Sequence, residues 1–229
     1  MKGTRVFLNA DVGERPEALA DGSEEALLRL LDWANIACGG HAGDEESMRQ
    51  VSALCRGLGV QVGAHPGYPD RAGFGREELN LPADAIADLV FDQVLALARI
   101  AGNVRHVKPH GALYNTAARD AVVAEAIAKG VARWSREVTL VGLAGSRMIE
   151  VWRGLGFTVA EDAFADRRYE ADGTLRARRY PDALIIDPEE AAAQARRLAA
   201  SADTLCVHSD TPGALTIARA VREALKGRS

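Results

Sequence analysis

The sequence predicts an α/β domain built on a mostly parallel sheet, and three observations support this. Short runs rich in β-branched and apolar residues recur seven times along the chain. Between most of them lie longer stretches with helical caps. The residue types that carry chemistry gather where the short runs end. Periodicity alone leaves two architectures open, a doubly wound sheet and a closed barrel. The 229 residues are 48% apolar, which is enough core for one domain spanning 1–229. Only 5% are aromatic, so Ala, Leu and Val carry the packing.

The strand runs fall at 5–8, 34–37, 60–62, 104–107, 139–141, 157–159 and 204–207. One helix opens at Asp44 with Glu45 and Glu46 in its first turn and runs to about Gly57. Another starts at Pro82 and runs to about Gly102. In "DPEEAAAQARRLA", Asp187 is the N-cap, Pro188 takes the first helical position, acids fill the first turn and arginines the last. The final helix is expected from Thr211-Pro212 to about Lys226. The stretch 161–186, containing "FADRRYEADGTLRARRYPD", breaks the rhythm. It reads as a long polar excursion over one face.

A net charge of −4 argues against a general nucleic-acid binder. No apolar run reaches the roughly 18–20 residues of a membrane span, and no export signal opens the chain. Cys38, Cys55 and Cys206 are widely spaced with no CxxC, as expected of reduced thiols. The expectation is a soluble, cytoplasmic protein that acts on a small molecule. Homo-oligomerisation is left open. No P-loop, no GxGxxG after a strand and no GxSxG elbow occurs.

None of the five histidines falls in a helical stretch. His41, His65, His110 and His208 stand at or just after strand runs, and His106 lies inside one. Asp11 follows the first strand in "LNADVGE". Strand ends of a parallel fold open on one face, so Asp11, His41, His65, Lys108, His110, His208 and Asp210 are expected to converge. The chain has 24 arginines and four lysines, and Lys108 alone of the four sits at a strand end, between two histidines; Lys2 is terminal, and Lys129 and Lys226 lie near helix ends. Its compact ammonium could polarise a carbonyl, hold an anion or carry a proton. Asp11, His41 and His65 also offer one oxygen and two nitrogens, a set that suits Zn²⁺, although no HExxH or HxH spacing supports it. In "GAHPGYPDRAGFG", prolines and glycines stiffen a loop that fixes His65 and displays Asp70 and Arg71, either to a substrate or to neighbouring loops. Cys38, three residues before His41, is read as a buried strand-end thiol rather than a nucleophile.

Seven blocks stand in order: "LNADVGE", "ANIACGGHAGD", "GAHPGYPDRAGFGR", "HVKPHGALYN", "LAGS", "EDAFADRRYEADGTLRAR" and "HSDTPGA". Together they resemble the LamB/YcsF family, the A subunits of 5-oxoprolinases, over about residues 8–213. The resemblance implies an irregular seven-stranded β/α barrel of the polysaccharide deacetylase kind. It also implies ATP-dependent opening of 5-oxoproline to L-glutamate, with ATP and Mg as co-substrate and the B and C subunits of 5-oxoprolinase as partners. It assigns no individual roles. On residue chemistry, Asp11, His41, His65, Lys108 and His110 are the candidate catalytic groups. The candidate substrate-binding residues are Asn9, Glu14, Asp70, Arg71 and Tyr114, followed by Asn115, Asp166, Arg167, His208 and Asp210. The chain departs from the family pattern in four places: a shorter 15–22 segment, Gly40 where Phe is commoner, no insertion within 198–203, and Ser209 in place of the usual Gly between His208 and Asp210. Two other readings are carried beside this one. One is a self-sufficient metal-dependent amide hydrolase or carbohydrate deacetylase, and the other is a binding subunit whose polar face only holds a ligand.

Overall fold

The computed structural model describes residues 5–226; Lys2 lies outside them. Seven parallel strands, β1 (Phe7–Val12), β2 (Trp33–Ala37), β3 (Gln61–His65), β4 (His106–Val107), β5 (Thr139–Leu143), β6 (Thr158–Phe164) and β7 (Thr204–Cys206), pair each with the next. β7 also pairs with β1, Leu205 opposite Leu8, so the sheet closes into a barrel. That closure decides between the two architectures open on periodicity alone, in favour of the seven-stranded barrel that the family resemblance implied. Nine helices among the described residues connect and cover the strands. They are α1 (Pro16–Ala20) and α2 (Ser23–Leu28) after β1, α3 (Glu45–Leu58) after β2, and α4 (Ala83–Ala101) after β3. Next come α5 (Gly111–Ala117) and α6 (Ala121–Trp134), then α7 (Arg147–Gly154), α8 (Pro188–Leu198) and α9 (Ala214–Leu225).

The caps form as their residues dictate. Asp44 accepts from Ser47 N at 2.8 Å while Ser47 Oγ accepts from Asp44 N at 2.8 Å, a reciprocal capping box that starts α3. Asp187 accepts from Glu190 N at 2.8 Å and starts α8 with Pro188 in its first turn. The last helix begins at Ala214 rather than at Thr211-Pro212, because Gly213 takes a left-handed conformation (φ 78°) that a helix cannot contain. The excursion is also shorter than expected. β6 continues through Glu161, Asp162, Ala163 and Phe164, pairing Glu161 with Gly142 and Asp162 with both Leu143 and Thr204. Two acids in this run hide the strand. Beyond it the chain folds back on itself through isolated bridges Arg167–Leu184 and Tyr169–Leu175.

Alternation along the strands divides the core in two. Leu8, Ala10, Val12, Ile36, Val107 and Leu205 belong to a continuous apolar core with the helices, where α4, α6 and α7 contribute Val90, Val94, Ile127 and the fully buried Trp152. The alternate residues fill the barrel interior, and they are largely polar. Trp33 stacks on Phe7 and on His106, each at 4.9 Å. Above them Gln61 Nε2 lies 3.4 Å from His106 Nδ1, and His106 Nε2 donates to Asn35 Oδ1 at 2.9 Å. Asn35 Nδ2 donates in turn to Asn9 Oδ1 (2.8 Å) and Asp11 Oδ1 (2.9 Å). Asn9 Nδ2 donates to Asp162 Oδ1 (2.9 Å) and Thr204 Oγ1 (2.7 Å). Each buried amide in this chain has a partner, which keeps it from destabilising the interior.

The chain needs room. A Cβ on Gly63 would come within 2.0 Å of His106 Nε2, the atom bonded to Asn35. Gly63→Ala is therefore expected to cost about 1–3 kcal/mol, as overpacking of a fixed interior does. Urea denaturation against the parent checks this, and an unchanged midpoint would show that the imidazole is free to move aside.

Candidate active site

Lys108 lies just beyond β4, its side chain 2% exposed. Its Nζ is 3.0 Å from Asp162 Oδ2, 3.1 Å from Asn9 Oδ1, 3.4 Å from Asp11 Oδ1 and 4.9 Å from the centre of the Phe164 ring. Burial alone would strip its proton, but Asp11 and Asp162 outweigh burial and hold its pKa well above the usual lysine value. Burial works against the Asp11 carboxylate too, yet His65 and Lys108 keep its pKa well below the ordinary range. For Asp162, burial prevails over Lys108 and its pKa is raised.

Beside this pair, β1, β2, β3 and β4 deliver a glutamate and three histidines. His41 Nε2 is 3.0 Å from Glu14 Oε1. His65 Nε2 is 3.3 Å from Asp11 Oδ2 and 3.0 Å from His110 Nδ1. The His41 and His110 rings stack at 3.6 Å, and His65 stands edge-on to both. His110 is aimed by the stiff loop after β3, where its Nε2 donates to Phe74 O at 2.8 Å. Phe74 is the one non-glycine residue with positive φ (56°) among those described. Burial lowers the pKa of His41 to about 2 and drives that of His110 well below the usual imidazole value, so both rings are neutral. Burial raises the Glu14 pKa.

A cavity of about 700 Å³ opens over Asp11, His65, Lys108, His110 and Tyr114, with His208 on its wall. Five arginines also line it, the partly exposed Arg76, Arg119, Arg147 and Arg178 and the buried Arg167. Tyr114 Oη and Arg167 Nε are buried without a partner in the protein, two free polar atoms beside this space. Asn115 is an exposed lining residue. Asp166 works through others: it accepts from His208 Nδ1 (3.0 Å), His208 N (2.9 Å) and Thr211 Oγ1 (2.6 Å), fixing the imidazole that stacks on Phe164. Asp210 pairs with Arg76 and, at 3.1 Å, with Arg178; these cations and His208 outweigh burial and lower its pKa to about 2.

Asp70 and Arg71 sit apart from this cavity. Asp70 Oδ1 accepts from Gly73 N at 2.8 Å, and Arg71 donates to Gly43 O and, at 3.2 Å, to Gly39 O. Arg71 ties the loop to the β2–α3 turn, and Asp70 closes the loop on itself. Arg71 also lines a second cavity of about 560 Å³ with Glu14, His41 and Phe74. Cys38 is buried, which pushes its thiol up to about 12, too high for a nucleophile at neutral pH. Sequence reasoning missed Asp162, Asn35 and Glu24. The signal for Asp162 was its acid pair inside an otherwise apolar run; Asn35 and Glu24 had none.

The LamB/YcsF family model matches residues 6–229. The chain belongs to the LamB/YcsF family. A relative from Chloroflexus aggregans, named as the A subunit of 5-oxoprolinase, is 51% identical over 96% of this chain and 95% of its own length. The crystal structure of a lactam utilization protein from Thermus thermophilus is 41% identical, with a TM-score of 0.88 over 97% of this chain and 96% of that one. A family 4 carbohydrate esterase from Streptomyces lividans is 14% identical with a TM-score of 0.53, covering 98% of this chain and 88% of its own. That likeness is one of fold alone, and it agrees with the expected deacetylase-like barrel. No helix among the described residues is long and apolar enough to cross a membrane.

Glu24 supports the site from α2: its buried carboxylate accepts from Gly13 N, next to Glu14. Burial outweighs that hydrogen bond and raises its pKa from 4.5 to about 7. The folded state thus holds this proton more tightly than the unfolded chain. The resulting stability is full below about pH 4.5 and is lost as pH rises through about 7. Glu24→Gln removes the titration. Relative to that variant, the parent is expected to lose about 2–3 kcal/mol on going from about pH 4.5 to pH 8. Urea melts of both proteins across this range measure the difference, and parallel pH profiles would contradict the assignment.

Proposed function

We propose that this chain is the A subunit of an ATP-dependent 5-oxoprolinase, opening the lactam of 5-oxoproline to L-glutamate together with the B and C subunits. The observation that carries the proposal is a permanently charged Lys108 beside an ionised Asp11, under a cavity ringed by arginines, in a chain 51% identical to a protein named as a 5-oxoprolinase A subunit.

A lactam carbon is a poor electrophile. Transfer of the γ-phosphoryl group of ATP to the carbonyl oxygen, with Mg²⁺ on the phosphates, releases ADP and activates that carbon. Water then adds there, the C–N bond breaks with a proton going to the ring nitrogen, and a second water releases phosphate from the resulting acyl phosphate. The sum is 5-oxoproline, ATP and two waters giving glutamate, ADP and phosphate. This sequence needs a fixed cation where oxygen carries negative charge, and the Lys108 ammonium supplies it without reorganisation. It also needs a group to take a proton from water, a role assigned here to the Asp11 carboxylate by its place beside Lys108 and His65. The arginine-lined outer part of the cavity is matched to the substrate carboxylate and to phosphate.

The test is glutamate release from 5-oxoproline with and without ATP-Mg and with and without candidate B and C subunits. Turnover is expected only with ATP and all three chains. Release without ATP or partners would instead support a self-sufficient amide hydrolase, and no release beside an active reference enzyme would end the proposal. Lys108→Ala is expected to lower the rate at least about 10²-fold. Lys108→Ala combined with Asp162→Asn removes both members of the buried pair and recovers stability, but not activity. Recovery of activity would show that Lys108 only balances Asp162.

A further inference from the structure

The cluster beside Lys108 has a surplus of lone pairs. His65 Nδ1 lies 2.7 Å from Lys108 O, and His110 Nε2 lies 2.8 Å from Phe74 O. A carbonyl oxygen only accepts, so both of these ring nitrogens carry hydrogen. The opposite nitrogens, His65 Nε2 and His110 Nδ1, face each other at 3.0 Å, a spacing that excludes a hydrogen on both, so at least one presents a lone pair to the other. Glu14 Oε1 is 3.3 Å from that nitrogen of His110 and 3.8 Å from that of His65. It also lies 3.0 Å from His41 Nε2, and Asp11 Oδ2 stands 3.3 Å from His65 Nε2. Acceptors packed this closely repel unless a positive charge lies among them. One shared proton would join two of them and leave the others facing lone pairs.

Donor atoms of Glu14, His41, His65 and His110 all lie within 4.8 Å of one another, and all four residues are buried. Two ligands on one tetrahedral ion, each at about 2.0–2.1 Å, stand roughly 3.4 Å apart, and the measured separations bracket that spacing. The rings are also held as ligands must be. Backbone carbonyls fix the tautomer of His65 and His110 through the nitrogen away from the cluster. Backbone packs closely on His41, where a Cβ on Gly67 would come within 2.7 Å of Nδ1 and one on Gly75 within 2.6 Å of the His41 Cβ.

We propose that Glu14, His41, His65 and His110 hold one divalent transition-metal ion. Three imidazole nitrogens and one carboxylate oxygen suit zinc and its first-row neighbours, whereas magnesium and calcium favour oxygen. The site is distinct from any Mg²⁺ that accompanies ATP. Asp11 borders it but belongs primarily to the Lys108 group. A bound ion would supply Lewis-acid polarisation at the wall of the same cavity that Lys108 serves.

The experiment uses the full chain alone, without ATP or partners, so its outcome and that of the glutamate-release assay are independent. The chain is stripped with chelator and titrated with Zn²⁺ and with Co²⁺, with metal content measured by elemental analysis and Co²⁺ followed by visible absorption. One equivalent is expected, with the intense absorption of low-coordinate cobalt. Glu14→Gln and His110→Asn are each expected to weaken binding by at least about 10-fold, while Glu161→Gln leaves it unchanged. Should either variant fail to fold, imidazole nitrogen NMR of the parent decides, because zinc must shift His65 Nε2 and His110 Nδ1 and not their opposite nitrogens. Absence of saturable binding overturns the proposal, as does equal binding by the folded variants or zinc that leaves those resonances unmoved.

Discussion

An ammonium held inside a closed barrel is the constraint on which the rest of this structure depends. An isolated lysine charge in that position would cost several kcal/mol after relaxation. Lys108 keeps its charge only because β1 brings Asn9 and Asp11 and β6 brings Asp162 to the same point. β1 and β6 are not neighbours; they meet across β7, so the ion pair exists only when the barrel is closed. The carboxylates and amides that hold Lys108 need partners of their own. This explains why the polar chain runs down the interior through Asn35 to His106, and why Gly63 leaves room for it. The usual interior of an eight-stranded barrel is layered branched apolar residues. Here those residues lie outside the strands, and the interior carries charge.

That inversion also determines what could be read from the amino acids. The outward face of each strand is apolar, so seven runs were visible, and parallel strand ends share one face. The convergence of Asp11, His41, His65, Lys108 and His110 followed from their places in the chain. Closure did not follow from the strand pattern, because the outward faces look the same in an open sheet; it was legible only through the family resemblance, and the pairing of β1 with β7 establishes it. The signal of Asp162 was misread for a related reason. An acid in a strand reads as a break in apolar pattern unless its counter-ion is known, and that counter-ion is 54 positions away. Asp70 and Arg71 show the converse. Their charges suggested an exposed binding loop, and their hydrogen bonds instead go to neighbouring backbone.

Gly40 shows how a missing side chain is used by its neighbours. A side chain there would meet Gln93 Oε1 at 2.4 Å and Gly67 O at 2.7 Å. With none present, Gln93 reaches the loop and holds both backbone groups of Gly67, accepting from its N–H at 3.1 Å and donating to its carbonyl at 2.8 Å. The loop that carries Phe74 O to His110 is thereby anchored from α4 as well as from β3. Nearby, the backbone carbonyl of residue 209 accepts from Arg15 at 2.9 Å, joining the β7–α9 turn to the short segment before α1.

The charges of the cavity are layered, and the layering has a direction. Partly exposed arginines stand toward its outer part, where Arg76 and Arg178 share Asp210, while the buried Arg167 keeps an unpartnered Nε. Carboxylates stand deepest, with one lysine among them. An anion entering this field is held outside and repelled from the floor, while a neutral polar group is free to approach Lys108. On the proposed reading, 5-oxoproline has both parts on one small ring, a carboxylate at one carbon and a neutral amide at another. The field therefore orients it with the carboxylate toward the arginines and the lactam carbonyl toward the ammonium, before any contact specific to the ring is made. A substrate with two anionic ends would lack that preference. On that reading, preference for a molecule anionic at one end and neutral at the other follows from the order in which the barrel stacks its charges.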